Sequence, residues 1–366
     1  MTNTPNDSSL RDRIRGCLLG VAIGDALGAP FEHLLPGETN QAIERSGGRI
    51  TDIHPYWGCP AGAWTDDTGM TLASVRALIE MEKTGLGLEV AFQKAFCDWA
   101  GSLECRKPGG TVLYAARYAT ADLNSWSNGA IMRIAPAGIY TSLKGWDDEK
   151  SAEIAYRVAR MTHFRPLAVF PAVSAALAIR SILCGEQSVP HLPKAHTLCR
   201  EFIAADPQGA ALQYEQDYLE RYAGPISELP AITGLWLWRH VTERCLGIFP
   251  ENGARNGYEP RAWSLLPGFE EGILETVNTS FDRDTAGAVA GAILGVYWGE
   301  SLIPERWRKA VLKGPEIIQL ADDLIEACGP LVEEGTGCRR ESDRATGSAL
   351  VHDGQLLNMS AFGRSE

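Results

Sequence analysis

The sequence predicts an all-α protein built as a single compact multi-helical domain. Apolar residues recur at i, i+3 and i+4 through segment after segment, strand-like alternation is almost absent, and loops rich in Gly, Pro and Asn separate the segments at even intervals. The 366 residues exceed the usual single-domain length, while 45% hydrophobic and 22% charged residues make a globular composition.

The first periodic segment, Arg11 to Leu27, follows a polar stretch and carries Gly16, Gly20, Gly24 and Gly28 four residues apart. A glycine inside a helix costs roughly 0.5–1 kcal/mol relative to alanine. A bare ridge at i, i+4 offsets that cost where another backbone packs closely, so a tightly packed central helix is expected. After a loop over Pro36 to Gly62, Thr65 is placed to cap a helix over Asp66 to Glu82, followed by one over Leu88 to Ser102. Beyond the loop at Lys107 to Gly110, Asn128 is placed to cap a further helix start at Gly129. Helical periodicity resumes over Glu149 to Thr162, Leu167 to Leu183 and Ala195 to Ala205, then, past the loop at Phe249 to Pro260, over Phe269 to Asn278. Asp284 to Trp298 brings a second glycine stripe, Gly287, Gly291, Gly295 and Gly299, and a second central helix. Pro304 and Pro315 suit first turns, the latter opening Pro315 to Ala327. No repeat of fixed period is present. The domain is expected to span 11–328, with a polar extension at 1–10 and a polar tail at 329–366.

A formal net charge of -12 and pI near 5.2 disfavour nucleic-acid binding and adhesion to anionic membranes, and they suit a site that concentrates divalent cations. Apolar runs such as Leu167 to Ile179 and Ala286 to Gly299 fall short of the roughly 20 residues of a membrane helix, so no span is expected. The N-terminus lacks a basic-then-apolar leader pattern, which predicts a cytoplasmic protein. Nine scattered cysteines with no C-x-x-C pair point to neither a zinc ribbon nor a disulfide framework.

Two short acidic clusters stand ahead of apolar helices: Thr65-Asp66-Asp67-Thr68 and Asp282-Arg283-Asp284-Thr285. Either alone reads as a helix start, since first-turn N–H groups and the helix dipole favour acids. Brought together by folding, they would form a hard, oxygen-rich pocket suited to Mg²⁺, Mn²⁺ or Ca²⁺. Glu32, after the first glycine helix, can join them. Neither cluster matches a calcium loop. Asp25, inside that helix, fits equally a support for the cluster or a buried capping partner.

Read in order, Gly24-Asp25-Ala26-Leu27-Gly28, the Thr65 to Thr68 cluster, Asn128-Gly129-Ala130-Ile131-Met132-Arg133, Thr162-His163, the segment Phe269 to Asn278 and the Asp282 to Thr285 cluster resemble the ADP-ribosylglycohydrolase family over residues 11–328. The resemblance implies an all-α fold with a binuclear Mg²⁺ or Mn²⁺ cleft. It further implies Thr65, Asp66, Asp67, Asp282, Asp284 and Thr285 as metal ligands, and Glu32, Asp67 and Asp284 as catalytic residues. Asn128, Gly129, Ala130, Arg133 and His163 are implied to bind ADP-ribose: the small Gly129 and Ala130 admit a diphosphate to backbone N–H groups, and Arg133 adds charge. The expected activity is hydrolysis of mono-ADP-ribose from arginine side chains of modified proteins. An immunity role against a cognate ADP-ribosyltransferase toxin is one setting, with no nucleic-acid or membrane partner. The alternatives are action on serine-linked or free ADP-ribosyl compounds, or an inactive relative serving as a binding protein. The Trp236, Trp238, Tyr258 and Trp263 region would suit protein contact. Arg283 departs from the family pattern, which usually has a small residue between the aspartates. Successive side chains at a helix start diverge by about 100°, so Arg283 is expected to aim outward while both aspartates face the metals.

Overall fold

The computed structural model describes residues 9–32, 34, 40–56, 58–186, 195, 197–199, 202, 233–245 and 266–329. Thirteen α-helices and one six-residue π-helical turn, His240–Cys245, occur among them; the α-helices are α1 (Leu10–Gly28), α2 (Gln41–Arg45), α3 (Asp66–Thr84), α4 (Leu88–Ala100), α5 (Gly110–Tyr118), α6 (Ala135–Leu143), α7 (Asp148–Arg160), α8 (Pro166–Leu183), α9 (Gly234–Arg239), α10 (Phe269–Thr279), α11 (Arg283–Trp298), α12 (Glu305–Ala310) and α13 (Gly314–Ala327). Among the described residues there are isolated β-bridges and no strand. The tail from 330 onward, Tyr258, Trp263 and most of the segment from Ala195 to Ala205 lie outside the described residues; positions 195, 197–199 and 202 are helical.

The two glycine helices are each other's partner. A Cβ added at Gly20 would lie 2.0 Å from Gly291 O, one at Gly24 1.9 Å from Gly287 O, and one at Gly16 2.4 Å from Gly295 O. No side chain fits between these backbones, so the glycine spacing on both segments is what lets α1 and α11 touch along their length. Around this pair, α3 packs on α1, α4 and α13, while α8 packs on α6, α7, α9 and α11. The outer layer is tied by charge: Arg15 grips Asp322 with two bonds of 2.9 and 2.5 Å, and Arg13 donates to Val296 O and Ile182 O.

Helix starts follow local chemistry. Ser9 accepts from the Asp12 N–H, Thr65 from Asp67, Asp147 from Lys150 and Asp282 from Thr285. At Asn128 the expectation of a capped helix gives way to a three-residue 3₁₀ turn, Asn128–Ala130. Gly129 is a poor helix former, and Pro136, which has no N–H to lose, places the next helix start at Ala135. Pro304 lies just outside its helix rather than in the first turn.

Two helical stretches, Leu10–Phe31 and Pro166–Leu183, are long and apolar enough to cross a membrane by length and composition, contrary to the estimate from uninterrupted apolar runs. Their most apolar windows are 89% and 100% buried within the fold, so core packing accounts for their hydropathy.

Candidate active site

Three helix ends converge: the last turn of α1, the first turn of α3 and the first turn of α11. At their centre the buried Asp25 accepts from the Thr65 N–H (3.0 Å), the Thr68 N–H (3.0 Å) and the Thr68 hydroxyl (2.6 Å). The two possibilities left open for Asp25 thus coincide, since it caps α3 and in doing so fixes the acidic turn. Thr65 donates its hydroxyl to Asp67 Oδ2 at 3.1 Å, and Thr285, 218 residues further on, reaches the same oxygen at 3.5 Å. That contact joins the two acidic clusters. Asp66 Oδ2 accepts from the Gly109 N–H at 2.8 Å, and Asp282 Oδ2 from the Asn128 amide at 2.7 Å. The Thr285 N–H lies 3.0 Å from Asp284 Oδ1.

This much carboxylate in one buried place is electrostatically costly. Burial, then the neighbouring Asp25 and Glu32 charges, push Asp66 up to about 7 despite the Gly109 hydrogen bond. Asp67 is raised by burial and by Asp25, Asp66 and Asp282, and Asp284 by burial and by Asp282, Glu32 and Asp67. Asp25 rises to about 6, mainly through burial. Asp67 Oδ1 is buried with no hydrogen-bond partner. An orphaned carboxylate oxygen among like charges, with Thr65 and Thr285 hydroxyls beside it, fits a hard dication, whose charge would relieve both the repulsion and the missing bond. Among the described residues no three His, Cys, Asp or Glu side chains already form a ligand set. The threonine oxygens therefore matter to any coordination here.

Arg283 is buried rather than solvent-facing. Its guanidinium donates to Val277 O at 2.9 Å and to Leu34 O at 3.4 Å, so it is drawn to backbone carbonyls beneath the helix start. Glu32 is partly exposed and ion-paired with Lys107, whose ammonium also donates to Ala29 O at 3.2 Å and lies over the Tyr56 ring. Lys107 has a positive φ of 46° in the loop that also delivers the Gly109 N–H to Asp66. Nothing in the sequence singled out this lysine; a Lys-Pro-Gly-Gly run reads only as a loop.

The Asn128 to Arg133 segment divides. The Asn128 side chain faces the acidic cluster through Asp282, whereas Gly129 and Ala130 are buried. A Cβ on Gly129 would meet Val112 at 2.7 Å and the His163 ring at 2.9 Å, so its smallness seats that imidazole. Arg133 is fully buried, stacked on Phe96 and bonded to Val158 O and Thr162 Oγ1. The expectation that its charge meets a diphosphate gives way, because its guanidinium is enclosed by protein. His163, also fully buried, touches Ser127 Oγ through Nε2 and Thr162 Oγ1 through Nδ1, both at 2.8 Å.

Beside this all-helical fold with acidic helix starts gathered at one place, the sequence matches the model of the ADP-ribosylglycohydrolase family over residues 6–332. The chain belongs to that family. Similar proteins include ADP-ribosylhydrolase ARH3 of Bos taurus, 26% identical over 85% of this chain and 92% of the relative. ADP-ribosyl-[dinitrogen reductase] glycohydrolase of Rhodospirillum rubrum is 27% identical over 82% and 90%. ADP-ribosylarginine hydrolase Tri1 of Pseudomonas putida is 25% identical over 88% and 80%. A solved structure described as an ADP-ribosylglycohydrolase-related protein complex superposes with a TM-score of 0.60 at 26% identity, over 87% of this chain and 99% of its own. The family makes the protein an ADP-ribosyl hydrolase.

Proposed function

We propose that the protein removes mono-ADP-ribose from arginine side chains of modified proteins in a reaction that needs Mg²⁺ or Mn²⁺. The observation behind this is the meeting of two acidic clusters at Asp67, whose second oxygen is buried without a partner. Arginine as the acceptor is favoured by the similarity to a relative named ADP-ribosylarginine hydrolase.

Two such ions, held by Thr65, Asp66, Asp67, Asp282, Asp284 and Thr285, would supply Lewis acidity and positive charge at the ribose. The other duties fall to the chain. Asn128 orients Asp282, and Asp25 holds the α3 turn that carries Asp66 and Asp67. In the reaction a water oxygen bonds to the anomeric carbon as its bond to the guanidino nitrogen breaks. Glu32, at the partly exposed edge, takes a proton from that water and passes it to the departing guanidino nitrogen, leaving free ADP-ribose and unmodified arginine.

The test is release of ADP-ribose from arginine-modified and serine-modified protein with Mg²⁺, with Mn²⁺ and with chelator. Arginine-linked release should be metal-dependent and fall at least about a hundredfold in Asp284→Ala. Release from the serine-linked substrate alone would move the specificity, and no release from either by the metal-loaded protein would transfer the case to a non-catalytic binding protein.

A further inference from the structure

The buried Arg133 is hydrogen-bonded to neutral oxygens: Val158 O at 3.3 Å from both Nη1 and Nη2, and Thr162 Oγ1 at 2.5 Å from Nη2. A guanidinium only donates, so the Thr162 hydroxyl accepts in that pair. The other side-chain partner of that hydroxyl among the described residues is His163 Nδ1, at 2.8 Å. Were Nδ1 protonated, both neighbours would point protons at Thr162 Oγ1, and the hydroxyl's own proton would be buried without an acceptor. Thr162 therefore donates to Nδ1. Burial, aided by the Arg133 charge, pushes the His163 imidazole down to about 3, so it is neutral and carries one proton, on Nε2. That N–H donates to Ser127 Oγ at 2.8 Å. Ser127 Oγ also accepts from the Ser125 hydroxyl at 3.1 Å, and Ser125 Oγ in turn accepts from the Thr111 hydroxyl at 3.0 Å, so the proton of Ser127 is the one left to give. Burial falls along the chain: Arg133, Thr162 and His163 are enclosed, whereas Ser127, Ser125 and Thr111 are partly open. Ser127 directly precedes Asn128, whose amide holds Asp282.

We infer that Arg133 and Thr162 are positioning residues that fix His163 as its Nε2–H tautomer and, since Ser127 Oγ then accepts from both His163 and Ser125, turn the Ser127 hydroxyl proton outward as a donor to an anionic oxygen of the substrate. Arg133 thus acts on the site without touching what binds there. The identity of the anion as ADP-ribose rests on the proposed function; the tautomer does not.

The experiment is ¹⁵N NMR of the imidazoles in the full chain, with the His163 signals assigned by their loss in His163→Gln, alongside titration with ADP-ribose. The wild type should show Nε2 protonated and Nδ1 bare, unchanged from pH 5 to 8. Thr162→Val should mix or reverse the tautomer and weaken ADP-ribose binding about tenfold, the value of one well-oriented hydrogen bond. Thr162→Ser, which keeps the hydroxyl, should restore both. A protonated Nδ1 in the wild type, or an Nε2–H tautomer that persists in Thr162→Val, would overturn the inference. So would an altered tautomer with unaltered ADP-ribose affinity. If the tautomer responds as expected but the wild type binds no ADP-ribose, the proposed function fails and the tautomer assignment stands.

Discussion

Gly20→Ala isolates what the paired glycine ridges contribute. The new Cβ would sit 2.0 Å from Gly291 O, where real contacts do not fall below 3.0 Å. Neither atom lies on a flexible side chain, so α1 and α11 must part by about 1 Å, a gap that forfeits a quarter to a half of each dispersion contact it opens. Overpacking of this kind costs roughly 1–3 kcal/mol, and rigid backbone on both sides puts Gly20 near the upper end. Alanine's helix preference returns at most about 1 kcal/mol, leaving a net loss of about 2 kcal/mol. Thermal unfolding should then come about 3 °C earlier, given the unfolding entropy of a domain this long. Activity should suffer more than stability, because Asp25 and the Asp284–Thr285 turn ride on the two helices being pushed apart. A misplacement of about 1 Å can cost a hundredfold in rate. Gly101→Ala is the control: its Cβ would meet nothing closer than 3.8 Å at an exposed helix end, and its melting temperature should stay near wild type. If Gly20→Ala melted at or above wild type, close backbone contact could not be the reason for the glycines.

Two further outcomes are expected. Lys107→Met should release Glu32 and lower kcat about tenfold to a hundredfold with little change in KM, and Lys107→Arg should recover part of the loss; identical kinetics in all three proteins would remove Lys107 from the site. In chelator, stability should fall as pH rises from about 4 to about 7. Asp66 has a folded pKa of about 7, above its unfolded value, so the native state binds the extra proton in that window and loses that advantage as the proton leaves. Asp67 and Asp284 push in the same direction. The buried His163, with a folded pKa of about 3, opposes them, since its stabilisation is lost as pH falls below about 6.5. Melting curves at pH 5.5 and 8, with and without Mg²⁺, separate the two: Mg²⁺ should stabilise the protein more at pH 8. Equal stabilisation at both values would argue against the carboxylates as its ligands.

The long helices were legible because burial imposes a period on every turn: Leu10–Gly28, Asp66–Thr84, Pro166–Leu183 and Arg283–Trp298 each begin and end within two residues of the periodic segments. Short elements such as Gln41–Arg45 and Gly234–Arg239 have too few turns to show one. That the two acidic clusters would meet was legible because a conspicuous residue type recurs ahead of both glycine helices, which pack on each other. Their supports were not. Lys107, Ser127 and Thr162 matter through which atoms they face, and a lone lysine or hydroxyl in a loop carries no spacing signal. Arg133 was misread for the same reason. Its motif marked it as a charge near the substrate, but only the packing of Phe96 and Val158 around it reveals that the charge points inward.

Asp25 has a bearing on how the molecule comes into being. A helix commonly finds its N-cap within its own few residues, yet the Thr65 and Thr68 amides that open α3 are also held by a carboxylate 40 and 43 residues earlier. That carboxylate lies on a helix whose own seat, the glycine face of Gly287, Gly291 and Gly295, is made some 260 residues later. The acidic turn is therefore unfinished until the two ends of the fold have met. Loss of the late helix would leave a chain with every acidic residue in its first cluster intact and no frame to gather them, so the convergence of the two clusters arrives only with the completed tertiary structure.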